Sequence, residues 1–232
     1  MEIGPTCHYV MGGVEVDPDT ELSSVEGLYA VGECSGGMHG SNRLGGNSLS
    51  DLIVFGKRAG EAAAARASGL SERSAVPDEA VAAAEEAALA PFDPKGDENA
   101  YTIQADLQQT MNDLVGIIRT ADELEQSLKE IEQLKERAKH LKVEGARPYN
   151  PGWHLSIDIH NMLLVSECIA KAALARQESR GGHTRNDFPG PDPEWGAKNL
   201  VLTLNSSGDG VDLDEKPLPV MPDELKAFFE DK

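Results

Sequence analysis

The feature that most constrains the fold is a glycine-rich segment, residues 32–46, which lies between a short apolar stretch and a long apolar helical pattern. Leu28–Val31 precedes it and reads as a short β-strand. The helical pattern begins near Asn47 or Ser48, either of which can cap it, and ends at Gly69. In dinucleotide-binding sheets, ligands lie beyond the carboxyl ends of strands, so a strand that runs into such a loop indicates a ligand site. This pattern alone is common.

A second part of the chain, residues 101–177, has apolar residues at helical spacing and predicts three helices in an antiparallel bundle. The first helix carries a stripe of five apolar residues: Ile103, Leu107, Met111, Leu114 and Ile118. Thr120 and Glu123 form a capping-box pattern that starts the second helix, and the third runs over 155–175. The charged second helix also resembles an interaction coiled coil, but packing within the bundle is the favoured interpretation.

The remaining segments complete an α+β organisation. Residues 1–70 are interpreted as the C-terminal part of a ligand-binding domain, in which Val14, Val16 and Leu28–Val31 form short strands. Residues 71–100, rich in alanine, glutamate and proline, predict a linker with a short solvated helix. Residues 178–232 predict an extended tail with one strand, 200–204, and loosely held final residues.

Composition excludes several classes of function. Subtracting 40 acidic from 21 basic residues gives a net charge of −19, which argues against a nucleic-acid partner and against adsorption on an anionic membrane. Three cysteines at unrelated spacings predict neither a disulfide framework nor a metal site. No apolar run approaches the length of a membrane span, and no signal peptide is visible.

Two features point to a cofactor. Glu33 follows Gly32 at the end of the first apolar stretch, where a carboxylate can accept hydrogen bonds from sugar or ribityl hydroxyls. The start of the following helix leaves amides near Ser48 and Leu49 free and carries partial positive charge. That helix end suits a group that becomes negative, such as the N1/O2 edge of a reduced flavin. Glu33, Asn47, Ser48 and Leu49 are therefore the candidate cofactor-binding residues.

Two further residues point to a carboxylate substrate. Arg43 lies in the glycine-rich loop directly before the helix and offers a planar fork that matches a carboxylate. His8 precedes a Gly-Gly turn and can donate to a dicarboxylate if an arginine lies nearby. A surface arginine and a structural histidine are the alternatives for these two positions. No residue of the chain is assigned as catalytic.

Taken together, the runs His8–Gly13, Gly32–Glu33 and His39–Leu49 resemble the last third of the flavoprotein subunit of succinate dehydrogenase and fumarate reductase. The later runs Asn150–Trp153 and Glu178–Arg185 resemble its C-terminal region. The resemblance covers most of the chain. It implies an FAD-dependent interconversion of succinate and fumarate.

The resemblance also implies roles and partners. His8 and Arg43 would bind substrate carboxylates, Glu33 the ribityl chain, and the backbone of Ser48 and Leu49 the isoalloxazine. The helical part would be a domain beside the flavin domain. The implied partners are an iron–sulfur subunit and membrane-anchor subunits. The expected location is cytoplasmic and peripheral, on the inner face of the cell membrane.

The sequence contains no Gly-x-Gly-x-x-Gly loop after a strand and no counterpart of the family's capping domain. The chain is therefore interpreted as the C-terminal part of a larger flavoprotein, and by itself it is expected to be inactive. An aspartate oxidase-like flavoprotein is an alternative, although Gly45–Gly46 and the 178–185 run favour succinate dehydrogenase. A non-catalytic docking module is the second alternative.

Overall fold

The computed structural model describes residues 8–93, 95–226 and 228, and it mixes helices and strands as the sequence predicts. Within those residues the α-helices are α1 (Asn47–Gly69), α2 (Asp78–Leu89), α3 (Ala100–Leu114), α4 (Ala121–Ala138), α5 (Pro151–Ala175) and α6 (Asp223–Lys226). The strands are β1 (Ile118–Arg119), β2 (Thr184–Arg185), β3 (Lys198–Leu204) and β4 (Val211–Pro217). β1 pairs with β2 in parallel, and β3 pairs with β4 antiparallel.

The main core lies where α3, α4 and α5 pack against one another. Its fully buried side chains come from all three helices and include Ile103, Leu107, Leu124, Ile131, Ile159 and Leu163. Ile118 was expected to continue the α3 stripe but lies in β1, because α3 ends at Leu114 and Gly116 follows. The antiparallel order of the bundle and the domain boundaries stay predictions.

The helix starts of this core are determined locally. The Thr120 hydroxyl accepts from the Glu123 amide at 3.4 Å, and the Thr120 amide donates to the Glu123 carboxylate at 2.9 Å, so the capping box is confirmed. The Asn150 side chain caps α5, and Pro151 occupies its first turn. Because a proline suits the first turn of a helix, α5 begins earlier than the expected residue 155.

α1 differs from the sequence prediction at its start. Its N-cap is Gly46, with φ 85°, and the cap makes no side-chain hydrogen bond, so the prediction of Asn47 or Ser48 as the cap is wrong. A left-handed backbone is open to glycine at no steric cost, which makes Gly46 the turning point into the helix. The helix ends at Gly69, as predicted.

The segment before α1 is held by isolated β-bridges where short strands were expected. The bridges join Val14 to Ser35, Val16 to Ser23 and Leu22 to Tyr29. A Cβ atom on Gly13 would overlap the Cys34 carbonyl oxygen, so the two chain segments approach at a distance that only glycine permits.

The linker contains the expected helix, α2. None of its residues is buried, so the helix is solvated as predicted.

The tail differs from the predicted single strand. β3 pairs with β4 in a register that places Leu202 opposite Leu213, and β2 is a further short strand. The sequence did not predict β4, because acidic residues interrupt its few apolar ones. The segment forms a strand through its pairing with β3. The last four residues, which were expected to be loosely held, lie outside the described residues.

Among the residues that the structure describes, no helix has both the length and the apolarity to cross a bilayer.

Candidate substrate and flavin site

Arg43, the candidate carboxylate ligand, is seated on an aromatic ring. Its guanidinium carbon lies 4.6 Å from the centroid of the Tyr9 ring. One terminal nitrogen, Nη1, donates to the Leu44 carbonyl at 3.0 Å, whereas Nε is buried without a partner. An arginine whose fork is oriented but only partly hydrogen-bonded can still bind a carboxylate.

His8, the second substrate candidate, is exposed at the first described position. Its neighbour Tyr9 carries the contact with Arg43. The structure thus brings Arg43 to the chain segment that contains His8. A shared substrate contact of the two side chains stays a prediction.

Tyr9 is itself held by two buried polar side chains. Its hydroxyl donates to Oδ2 of Asp51 at 3.3 Å and lies 3.3 Å from Nε2 of His39. The same Asp51 oxygen lies 3.2 Å from His39 Nε2, and the side chains of His39 and Asp51 are only 8% and 2% exposed. Burial, followed by the Asp51 carboxylate, raises the pKa of Tyr9 above its usual 10.0. The phenol is therefore neutral and a donor at physiological pH.

Tyr9, His39 and Asp51 were not predicted as site residues from the sequence. The signal that could have found Asp51 is an acidic side chain in an otherwise apolar helical run. The signal that could have found His39 is its position four residues before Arg43 in the same motif.

A second buried carboxyl group lies close to this cluster. Glu21 is 0% exposed, neither of its carboxyl oxygens has a partner among the described residues, and Oδ1 of Asp51 is likewise unpartnered. Burial, followed by the nearby Asp51, raises the pKa of Glu21. Its backbone is left-handed, with φ 58°, which is unfavourable for a residue with a side chain. No sequence pattern indicated this residue.

Glu33, the candidate ribityl ligand, is exposed at the end of the first apolar stretch, as predicted. Its Oε1 accepts from the Val10 amide at 3.0 Å, so the carboxylate ties the His8 segment to the end of the Leu28–Val31 stretch. The preceding Gly32 has φ 77°, and a Cβ atom there would overlap the Leu52 side chain. Glycine is thus required directly before the carboxylate.

The start of α1 offers fewer free amides than the sequence predicts. The Leu49 amide donates to the Gly46 carbonyl at 3.1 Å, and the Asn47 amide to the Leu44 carbonyl at 3.1 Å. Both amides are therefore engaged, which corrects the expectation that Leu49 is free. The Ser48 amide makes no backbone hydrogen bond within the described part of the chain. It is the amide best placed to donate to a ligand at this helix end.

The tail segment that resembles the family holds the glycine-rich loop from the other side. The Gly182 amide donates to the Ser41 carbonyl at 2.9 Å. Arg185, which is 1% exposed, donates to the Ala173 and Leu174 carbonyls at the end of α5. The run therefore connects the end of α5 to the loop that carries Arg43.

A buried ion-pair cluster stabilises the same tail segment. Glu178 is fully buried and pairs with Arg176 at 2.6 Å and with Arg180 at 3.0 Å. Burial acts to raise its pKa, but hydrogen bonds from Arg180, the Asp192 amide and Arg176 outweigh it and lower the pKa to about 2. Glu178 is therefore ionised and belongs to the structural support of the loop.

Comparison with known proteins decides the family. A family model described as "Fumarate reductase flavoprotein C-term" matches residues 104–227, more than half of the chain. The chain belongs to the fumarate reductase flavoprotein family. An "FAD binding domain" model matches residues 1–49, which include the candidate site. These matches support FAD as the cofactor, and the fit of the Glu33 carboxylate and the free Ser48 amide agrees with it.

Individual members of the fumarate reductase flavoprotein family are similar over most of the chain. The fumarate reductase flavoprotein subunit of Escherichia coli K12 is 39% identical over 80% of this chain and 31% of its own length. The corresponding protein of Haemophilus influenzae is 36% identical over 89% of this chain and 35% of its own length. The solved structure of Mycobacterium smegmatis Sdh1 in complex with UQ1 superposes with a TM-score of 0.93 and 54% identity, over 99% of this chain and 39% of that one. The chain thus spans about a third of the length of the curated relatives it matches.

Proposed function

We propose that this chain is the C-terminal part of a flavoprotein subunit that interconverts succinate and fumarate with FAD. The observation that carries the proposal is the Arg43 guanidinium, which is seated on the Tyr9 ring with its Nε unpartnered. Arg43 lies in the loop that leads into α1, and the start of this helix is the candidate flavin-binding position. In this proposal Arg43 grips one carboxylate of the substrate, and His8 donates to a carboxylate beside it.

Bound FAD would supply the hydride chemistry. The protein's own residues bind and orient. Glu33 would accept hydrogen bonds from the ribityl hydroxyls. The Ser48 amide, at the start of α1, would donate to the edge of the flavin that becomes negative on reduction. Asn47 and Leu49 flank that amide and are exposed, so they can contact a flat ring system. The planar fork of Arg43 fixes the direction in which the dicarboxylate lies.

Exposed apolar side chains on α1 support the further proposal that the chain works only with the rest of the flavoprotein. The early turns of the helix expose Leu49, Leu52, Ile53 and Val54, and Ile53 is 74% exposed. A contiguous apolar surface of this kind is typical of a region that another part of the fold covers. The chain by itself is therefore proposed to be inactive.

The partners proposed for the complete protein are an iron–sulfur subunit, which receives the electrons, and membrane-anchor subunits. Support comes from the relatives, which are named as flavoprotein subunits of fumarate reductases. Attachment through such partners would place the protein on the cytoplasmic side of the cell membrane as a peripheral subunit.

The deciding experiment uses the complete flavoprotein that contains this segment, purified with its FAD content measured. We expect succinate-dependent dye reduction and fumarate-dependent oxidation of a reduced dye. The 232-residue chain alone is expected to hold no FAD and to show neither activity. Oxidation of aspartate in place of succinate would show an aspartate oxidase-like enzyme, and absence of FAD from the complete flavoprotein would show a docking module.

A further inference from the structure

We propose that Asp51 is a positioning residue that orients Arg43 for carboxylate binding by acting through His39 and Tyr9. The inference rests on the proposed function, in which Arg43 binds the substrate, and it adds three residues to that site. Asp51 does not contact the substrate in this proposal.

A path of contacts connects Asp51 to Arg43. Asp51 lies one turn into α1, and its Oδ2 accepts from the Tyr9 hydroxyl at 3.3 Å and lies 3.2 Å from His39 Nε2. The Tyr9 and His39 rings meet edge to face, with centroids 5.4 Å apart. The Arg43 guanidinium lies over the face of the same Tyr9 ring.

Within the described part of the chain, Arg43 has few other polar restraints. Among the described residues its only side-chain hydrogen bond is the one to the carbonyl of Leu44, its own neighbour in a glycine-rich loop. A guanidinium on a long side chain loses considerable rotamer freedom when it is fixed. The Tyr9 ring face is a restraint on Arg43 that comes from outside the loop, so a group that holds the ring also helps to hold the fork.

Burial makes this path of contacts well ordered. His39 and Asp51 are almost completely enclosed, so their hydrogen bonds are shielded from competing water and their geometry is well determined. Removing the Tyr9 hydroxyl would release the ring from Asp51 while leaving its apolar surface in place. The ring could then tilt, and Arg43 would present its fork in more than one orientation.

The test uses the complete, FAD-loaded flavoprotein and three variants: Tyr9→Phe, Asp51→Asn and Arg43→Lys. KM and kcat for succinate and fumarate are measured together with the dissociation constant of a dicarboxylate, read from the flavin absorbance. Tyr9→Phe and Asp51→Asn are each expected to raise KM and the dissociation constant by about 5- to 10-fold, with a smaller change in kcat. Tyr101→Phe removes a hydroxyl from an exposed side chain of α3 and is expected to change neither constant.

A double variant separates positioning from a merely structural role. If Tyr9 acts through the Arg43 fork, Tyr9→Phe should add less than twofold to the KM of the Arg43→Lys enzyme, because the two effects are then not additive. Additive effects would overturn the proposal. If Asp51→Asn fails to retain FAD, the Tyr9→Phe enzyme, which keeps the ring, still decides.

The outcomes also separate this proposal from the proposed function. A wild-type enzyme that oxidises succinate and an Arg43→Lys enzyme with a raised KM, together with an unchanged Tyr9→Phe enzyme, would overturn only the positioning role. A wild-type flavoprotein that neither binds a dicarboxylate nor turns over succinate or fumarate would overturn the proposed function, and the positioning role with it.

Discussion

The amide of Gly182 donates a hydrogen bond of 2.9 Å to the carbonyl of Ser41, which joins the tail segment beyond α5 to the loop that carries Arg43. Gly181, directly before it, has φ 59°. A Cβ atom on Gly181 would overlap the Ser41 carbonyl oxygen. The loop that supports the candidate site is therefore shaped by a contact from the far end of the chain.

Replacing Gly181 by alanine should destabilise this junction. The substitution forces a side chain into a left-handed backbone, which costs about 1–3 kcal/mol, and adds the overlap with Ser41. We expect a lower Tm of the chain and faster proteolysis in the 38–46 loop. Gly190→Ala is the control, because a Cβ atom there meets nothing within 4 Å. Equal Tm values for the two variants would contradict the proposed role of the junction.

Arg43→Lys should damage the complete enzyme far more than its unchanged charge suggests. Lysine keeps the charge but lacks the planar fork, and losing a charged partner of a carboxylate typically costs about 2–5 kcal/mol. We expect kcat/KM for succinate to fall by about 100-fold, at about 1.4 kcal/mol for each factor of ten. Steady-state kinetics at equal FAD content measure it. A loss below about threefold would identify Arg43 as a surface arginine.

Glu178→Gln should destabilise the chain at neutral pH by about 1.5–3 kcal/mol, because it removes the buried carboxylate that accepts charged hydrogen bonds from the half-buried Arg176 and Arg180. The pKa of Glu178 is lowered from 4.5 to about 2 in the folded state, so its stabilising contribution is present above pH 4.5 and is lost as the pH falls toward 2. Urea unfolding of both proteins between pH 7 and pH 3 checks this. The variant should show the weaker dependence on acid.

A matched control for that experiment is Glu215→Gln. Glu215 pairs with Lys198 at 2.8 Å, but its side chain is about half exposed. Surface pairs of this kind contribute about 0–1 kcal/mol. If Glu215→Gln destabilised the chain as much as Glu178→Gln, the special role of the buried cluster would be refuted.

Glu21→Gln should stabilise the chain at alkaline pH. Burial and Asp51 raise the pKa of Glu21 above 4.5, so the folded state holds this proton more tightly than the unfolded state does. The corresponding stability is present below pH 4.5 and is lost as the pH rises through the raised value. We expect the variant to unfold at higher urea concentration than the wild type at pH 8, with the difference shrinking at pH 5. Glu72→Gln, at an exposed position, should show no such pH-dependent difference from the wild type.

The sequence by itself determined the features that depend on neighbours along the chain. The stripe of Ile103 and Leu107 predicts the buried face of α3, and the Thr120–Glu123 pair predicts the start of α4, because helical periodicity and capping act within a few residues. The motif around Arg43 and Glu33 likewise indicated the family, since its residue types and spacing are readable without a fold.

The tertiary structure alone decided which distant groups meet. Tyr9, His39 and Asp51 come from three separate segments, so no local pattern could show that they share one set of hydrogen bonds. β4 became a strand through its pairing with β3, and its own acidic sequence carries little signal of that. Gly46, and not Asn47 or Ser48, is the N-cap of α1, with a left-handed backbone that glycine adopts at no steric cost. For the Tyr9, His39 and Asp51 cluster the deciding free energy comes from contacts between segments 12 to 42 residues apart, and for β4 from pairing with a second strand. Such contacts exist only once the chain has folded.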